Sequence, residues 1–450
     1  MVGGGAPVRL VHLGLGNFFR AHQAWYTHHA GDADGWGYAA FTGRSPDLAV
    51  ALTAQGCRYT LITRAAGGDS CERISSLSAA HSAADHEAWL GYLRSPELAA
   101  VTITVTEAGY FRRPGGRLDV TRPQIAADLA ALRADQAGPV RTAPARLIAG
   151  LHARRLADVG PLAIVPCDNL PSNGPIIRRV LTDLAELVDD SLAAWFAGNV
   201  TVVTTMVDRI TPRATAADIR AVHDLEGFAD QCPVVTEPFS DWVISGEFPA
   251  GRPRWQDCGA TFTDDVAPFE ERKIWLLNGA HSLLAYAGSI IGHATVADAI
   301  ADETAMEWIT QWWDEASGHL SQPTAELASY RAALLARFGN GRMHDRLDRI
   351  AADGSQKLPV RVLPVLRAER AAGHLPLGAS RVLAAWICHL RGLGAPVNDA
   401  RAGELLPLAH GDIRPAVLKV LGWLDAELAG DRDLAALVTE QSEQLSRLQP

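Results

Sequence analysis

The chain has 450 residues, 48% of them hydrophobic and 20% charged, with a formal net charge of −10. That length predicts roughly two to three domains, and the composition is that of an ordinary globular protein. The acidic balance excludes a general binder of nucleic acid or of anionic membranes.

The six cysteines (Cys57, Cys71, Cys167, Cys232, Cys258 and Cys388) include no C-x-x-C pair, so neither a disulfide framework nor a zinc ribbon is expected. The start carries no basic region followed by an apolar core, and no apolar run reaches membrane-spanning length. A cytoplasmic location is the expectation.

In chain order, Val8 to Gly14 reads as a buried strand and Asn17 to Ala30 as a helix. Gly37 to Thr42 is a second strand, and Arg58 to Ala80 a strand-rich insert. Ala99 to Thr106, dense in β-branched residues, is the clearest strand. Leu162 to Pro166 and Val200 to Val207 follow. Helical patterns lie between them at Gln124 to Arg133, Arg146 to Ala157 and Pro175 to Val188. Strands alternating with helices predict an α/β fold with a Rossmann-like doubly wound sheet. Past residue 266 the strand patterns stop. Helices are expected at Glu270 to Ile290, Ala305 to Leu320, Leu327 to Phe338, Arg381 to Gly392, Pro415 to Ala429 and Leu434 to Leu448. The chain therefore divides into a dinucleotide-binding domain, 1–265, and a mostly α-helical domain, 266–450.

The first strand runs into Gly14-Leu15-Gly16-Asn17-Phe18-Phe19-Arg20. A G-x-G at the end of a strand makes a tight turn that lets a pyrophosphate approach the backbone. Phe19 stands where the third glycine of the full fingerprint falls. Arg20 is either a phosphate contact or a solvated helix residue. A strand-end acid after the second strand would select NAD. Here Asp47 comes late and Arg44 suits a 2′-phosphate, so the choice between NAD and NADP stays open.

Lys273, Asn278 and His281 interrupt a stretch that otherwise reads as a buried helix. At about 100° per residue, with Lys273 at zero, Asn278 falls near about 140° and His281 near about 80°. A base, an amide donor and an imidazole on one side suit proton transfer. The plain alternative is a lysine reaching solvent beside two locally bonded polar groups. Glu270, one turn before Lys273, either biases that lysine or stabilises the helix start.

These strings together resemble the polyol-specific long-chain dehydrogenases, the mannitol dehydrogenase family. The similarity runs from about Val8 to Gly392. It rests on Gly14-x-Gly16-x-Phe18-x-Arg20-Ala21-His22-Gln23, Thr106-Glu107-x-Gly109-Tyr110, Cys167-Asp168-Asn169-x-x-x-Asn173-Gly174 and Met206-Val207-Asp208-Arg209-Ile210-Thr211-Pro212. It continues in Lys273-x-x-x-x-Asn278-x-x-His281-Ser282 and in Asp353-Gly354-Ser355-x-Lys357-x-Pro359-x-Arg361.

The resemblance implies metal-independent hydride transfer between a nicotinamide cofactor, NAD first and NADP left open, and a small-molecule polyol or ketose. The mannitol–fructose pair leads. Reduction of fructuronate or tagaturonate and oxidation of arabinitol at C4 are the alternatives within the class. It further implies Lys273 as general acid/base, Asn169 and Asn278 as oxyanion donors, and His281 orienting the substrate. Gly14, Gly16, Asn17, Phe18, Arg20, Arg44 and Glu107 would face the cofactor. Asp208, Arg361 and His389 would face the substrate, with Lys357 a rival to Arg361, and the protein would be a monomer. No Cys, His and Glu cluster has the sequence spacing of zinc ligands, and His12, His22, His28 and His29 are assigned to packing and surface. A nucleotide-binding regulator without catalysis, or a metal-dependent hydrolase or isomerase, are the readings from other classes.

Overall fold

The computed structural model describes residues 5–113, 115–226 and 230–449. Two compact units divide the chain, Met1–Ala267 and Pro268–Pro450.

In the first unit, strands β1 (Val8–Leu13), β2 (Gly37–Phe41), β3 (Tyr59–Ala65), β4 (Gly68–Ile74), β5 (Leu77–His81), β6 (Ala100–Ile103), β7 (Leu162–Pro166) and β8 (Val200–Val202) precede four short ones. These are β9 (Thr204–Asp208), β10 (Val234–Thr236), β11 (Asp241–Ser245) and β12 (Thr261–Phe262). The main sheet has the order β5-β2-β1-β6-β7-β8, with every pair parallel. The chain starts in the middle of the sheet, winds outward to β5, then crosses back to β6 and winds the other way. That reversal leaves a crevice at the carboxyl ends of β1 and β6, where ligands of such sheets bind.

The two-residue period of the strands sorts their side chains. Val11, Leu13, Val101, Ile103, Leu162 and Ile164 enter one core, with the helices 86–93, 123–134, 143–157, 173–188 and 190–199. Leu10, Tyr38, Ala40, Ala100, Ala163 and Val165 enter the other. Both faces are covered, which is why these strands are apolar almost throughout.

Three expectations shift. The strand expected over Val200 to Val207 is two strands in different sheets, because Val203 turns into the second core and β9 pairs antiparallel with β11. The helix expected over Asn17 to Ala30 is two, Asn17–Ala21 and Gln23–His29, broken at His22. There the imidazole is buried, its Nε2 on the Asp241 carbonyl at 3.1 Å and its ring stacked on Phe18. In the insert, β3 and β4 form a hairpin in a small sheet with β10, whereas β5 joins the main sheet.

Away from the crevice, at the amino ends of the strands, Arg154 is 1% exposed. Its guanidinium donates to the carbonyls of Leu93, Ser95, Leu98, Val159, Gly160 and Pro161. Burial pushes its pKa down to about 10.

Among its described residues the second unit is helical, with one isolated bridge, Thr295 to Arg346. Its centre is the helix Leu377–Leu390, buried from Gly378 to Leu390 except Arg381. A helix that is apolar nearly all round belongs inside a bundle. It packs against the helices Glu303–Gly318 and Arg432–Arg447. Asp302 and Asp431 cap those two by accepting first-turn N–H groups. Among the described residues no helix is long and apolar enough to cross a membrane.

Candidate active site

In the first unit the candidate residues lie at the ends of strands. Gly14 has φ +117°, and a Cβ there would lie 2.1 Å from the Thr104 carbonyl oxygen, so only glycine fits. The N–H groups of Gly14 and Leu15 both donate to the Phe41 carbonyl, at 3.0 and 2.8 Å, closing the turn onto β2. A Cβ on Gly16 would meet only the Gly14 carbonyl oxygen, at 3.5 Å. The mouth of the turn is therefore open backbone. Asn17 and Phe18, half-buried, follow it.

Arg20 is buried. Its guanidinium donates to the Cys232 carbonyl, to Asn17 Oδ1 at 2.8 Å and to the Gly16 carbonyl at 3.3 Å. Its donors brace the turn from inside the protein, which departs from the alternative of a solvated helix residue. Arg44, just past β2, is exposed, as is Asp47 at the start of the next helix. Glu107 is exposed in the short helix after β6 and accepts from Arg112.

Asn169 lies exposed in the loop after β7. Its neighbour Asp168 is buried and accepts from the Tyr110 hydroxyl and from the Leu170 N–H. Burial pushes the Asp168 carboxyl up to about 6. Asn173 is a buried cross-link: its amide donates to the carbonyls of Pro166 and Thr205 and accepts from the Thr205 N–H at 3.0 Å. Asp208 ends β9, 7% exposed. Arg209 beside it turns to the carbonyls of Ala21 and Glu237 and stacks on Trp25.

In the second unit, the segment Lys273–Gly279 is a π-helix, followed by one α-turn, Ala280–Leu283, and a second π-segment, Leu284–Gly288. A π-helix bonds residue i to i+5. Asn278 follows Lys273 by five, so the wider turn brings it closer to the lysine's side of the helix than the about 140° of α geometry.

Two indoles accompany the widened turns. Trp312 Nε1 donates to the Trp275 carbonyl at 2.9 Å and Trp313 Nε1 to the Leu276 carbonyl at 2.8 Å. The Trp312 ring lies so close to Gly279 that a Cβ there would come within 2.4 Å of it. Arg361 adds a third brace, donating to the Asn278 carbonyl and to Ser282 Oγ, each at 3.2 Å. Burial lowers its pKa to about 10.

Lys273 and Glu270 are both buried. His281 Nε2 is 3.9 Å from Asp345 Oδ2, and its ring leans on Phe338. Lys357 donates to the carbonyls of Ile350 and Ala352, which fixes it to its own turn. His389 is 2% exposed beside the Tyr286 ring, and burial pushes it down to about 4, so it is a neutral imidazole.

Within the second unit Lys273, Asn278 and His281 thus share one helix, which Arg361 braces from the end of the helix Gly354–Arg361. His389 sits behind Tyr286, and Lys357 is turned away to its carbonyls. Sequence reasoning missed Asp345, the Tyr110–Asp168 pair and the two indoles. Tyr110 and Asp168 lay inside recognised strings. The Trp312-Trp313 tandem was visible, but nothing tied it to residues 37 positions away.

Family models match both parts of the chain: the mannitol dehydrogenase Rossmann domain over residues 8–257 and the mannitol dehydrogenase C-terminal domain over 265–409. The chain belongs to the mannitol dehydrogenase family. It is 39% identical to a D-arabinitol 4-dehydrogenase of Ralstonia nicotianae, covering 86% of this chain and 84% of that one. It is 35% identical to a D-mannonate oxidoreductase of Escherichia coli, over 97% and 93% of the two chains. Among solved structures it resembles the Pseudomonas fluorescens mannitol 2-dehydrogenase in ternary complex with NAD and D-mannitol. There the TM-score is 0.79 and the identity 32%, covering 98% of this chain and 92% of that one. This member of the mannitol dehydrogenase family is an oxidoreductase of the polyol and sugar-acid class.

Proposed function

We propose that this family member interconverts a polyol and its ketose with a nicotinamide cofactor, the mannitol–fructose pair first. The observation that carries the reading is the braced π-helix that holds both Lys273 and Asn278. Residues 1–265 take the cofactor and 266–450 the substrate. The glycine turn fits a dinucleotide, since its mouth is bare backbone at the crevice end of β1. When bound, the nicotinamide supplies the hydride acceptor for oxidation and the donor for reduction.

Lys273 removes the hydroxyl proton in oxidation and returns it in reduction. Asn169 and Asn278 donate hydrogen bonds to the oxygen as charge develops on it. His281 orients the adjacent hydroxyl, and Asp208 binds another. Arg361 acts through the helix, by holding the Asn278 carbonyl. NAD is the preferred cofactor, and Arg44 is where a preference for NADP would arise.

D-Arabinitol is the second reading, favoured by the 39% identical relative. A sugar acid is disfavoured because its carboxylate needs a cation. Lys357 donates to two carbonyls, and Arg361 gives Nη1 to the helix.

An initial-rate panel by nicotinamide absorbance tests this: mannitol, arabinitol and sorbitol for oxidation, fructose and fructuronate for reduction, each with NAD(H) and NADP(H). Preference for mannitol and fructose is the expected result. Preference for arabinitol selects the second reading, and preference for fructuronate overturns both.

A further inference from the structure

Apart from the residues given a role above in hydride transfer, the first unit gathers His28, His29 and Glu72. One donor atom from each lies within 4.8 Å of the other two. The histidines end the helix Gln23–His29, and Glu72 lies on β4. We propose that these three side chains form a binding site for a divalent transition metal of the zinc class, fastening that helix to the β3–β4 hairpin.

The donor set is chemically apt. Two imidazoles and a carboxylate make a three-ligand zinc site with a fourth position for water. Part of that coordination shell is already drawn together: His29 Nε2 stands 2.8 Å from Glu72 Oε2. Zinc bonds of about 2.0–2.1 Å at a tetrahedral angle set ligand atoms a little over 3 Å apart, so the pair need open only slightly.

The supporting contacts are of the kind that aim metal ligands. The other Glu72 oxygen accepts from Trp25 Nε1 at 2.8 Å, which fixes the carboxylate plane. His28 Nδ1 lies 3.3 Å from Ser75 Oγ, which sets that ring. The His28 and His29 rings are near-perpendicular, with centroids 5.0 Å apart, so neither blocks the other. The side chains of His29 and Glu72 are 38% and 33% exposed, so an ion and its water have a way in.

Sequence spacing gave no hint of this, because the carboxylate comes 43 residues after His29. The histidines assigned to surface roles thereby gain one. The site is independent of the hydride-transfer reading, and its readouts are binding and melting rather than turnover.

The test uses the full chain stripped with a chelator. Zinc is titrated by calorimetry and cobalt(II) by its visible absorption, with melting followed in parallel. Expected are one zinc per chain and a melting temperature that rises with zinc. At zinc one hundred times its Kd the folded-to-unfolded ratio rises about 100-fold. His29→Ala and Glu72→Gln each weaken binding at least about 10-fold and abolish the melting shift. Glutamine keeps an acceptor for Trp25, so that variant retains the local fold. Cys71→Ser, which removes the thiol next to Glu72, leaves binding unchanged. The proposal is overturned if both ligand variants bind zinc like the parent, if Cys71→Ser removes binding, or if the parent takes up no zinc at 100 µM, a limit set about ten-fold above a usable site.

Discussion

The glycine turn of the first unit and the lysine helix of the second show two ways of presenting reactive backbone and side chains. The turn is shaped by what is absent: no Cβ at Gly14, whose backbone is pressed on the Thr104 carbonyl, and none at Gly16, which leaves the mouth open. The helix is shaped by what is added: two indoles and a guanidinium take up the carbonyls of Trp275, Leu276 and Asn278 around the π-turns. The turn relies on the sheet for its position. The helix is held out of α geometry by side chains distant in sequence. The lesson is that several residues in the recognised strings, Arg20, Asn173 and Lys357 among them, serve as braces.

The largest expected effect tests the helix. Lys273→Ala should lower turnover by about 10²–10⁴-fold, the usual worth of a positioned acid/base, when rates are measured across pH. Near-normal turnover at every pH would remove Lys273 from the chemistry.

Gly14→Ala tests the turn. Positive φ and a clash with backbone should cost about 2–4 kcal/mol together, read as a lower midpoint in urea with weaker nucleotide binding. A variant that melts like the parent would show the turn to be more pliable than its geometry implies.

Asp168 offers a pH test. Its folded pKa of about 6 is raised above the unfolded 3.8, so the folded state binds the extra proton. This group's contribution to stability therefore falls as pH rises from about 4 to about 6, by at most about 3 kcal/mol. Asp168→Asn should lose that part of the slope when unfolding is compared with the parent at pH 4, 5, 6 and 7. Parallel curves would show that the carboxyl is ionised throughout.

Trp312→Phe leaves the Trp275 carbonyl without its donor, at about 1–3 kcal/mol. Turnover should fall while the KM for cofactor stays, because only the helix is disturbed; an equal loss in both would argue against that separation. Smallest is Arg44→Ala, expected to raise the KM for NADP(H) more than for NAD(H), with stability within about 0.5 kcal/mol. An unchanged ratio would leave the cofactor choice to other residues.

The main sheet was readable because its strands are short apolar runs between helical patterns; Leu162–Pro166 falls where the sequence places it. The strands β10 and β12 escaped because three and two residues carry no measurable alternation. The residues of the lysine helix were legible, but not its geometry. The sequence Lys-Ile-Trp-Leu-Leu-Asn-Gly suits an α-helix, and the widening accompanies Trp312, Trp313 and Arg361 packed against it. A periodicity argument sees one segment at a time and is blind to such partners. The same blindness hid Asp345 near His281.

Arg154 has a consequence for motion. One guanidinium gathers carbonyls from the stretches Leu93–Leu98 and Val159–Pro161. Neither stretch can lift away alone without stranding a buried charge. Their backbone amides should therefore exchange with deuterium at a common rate, as one cooperative unit set by Arg154.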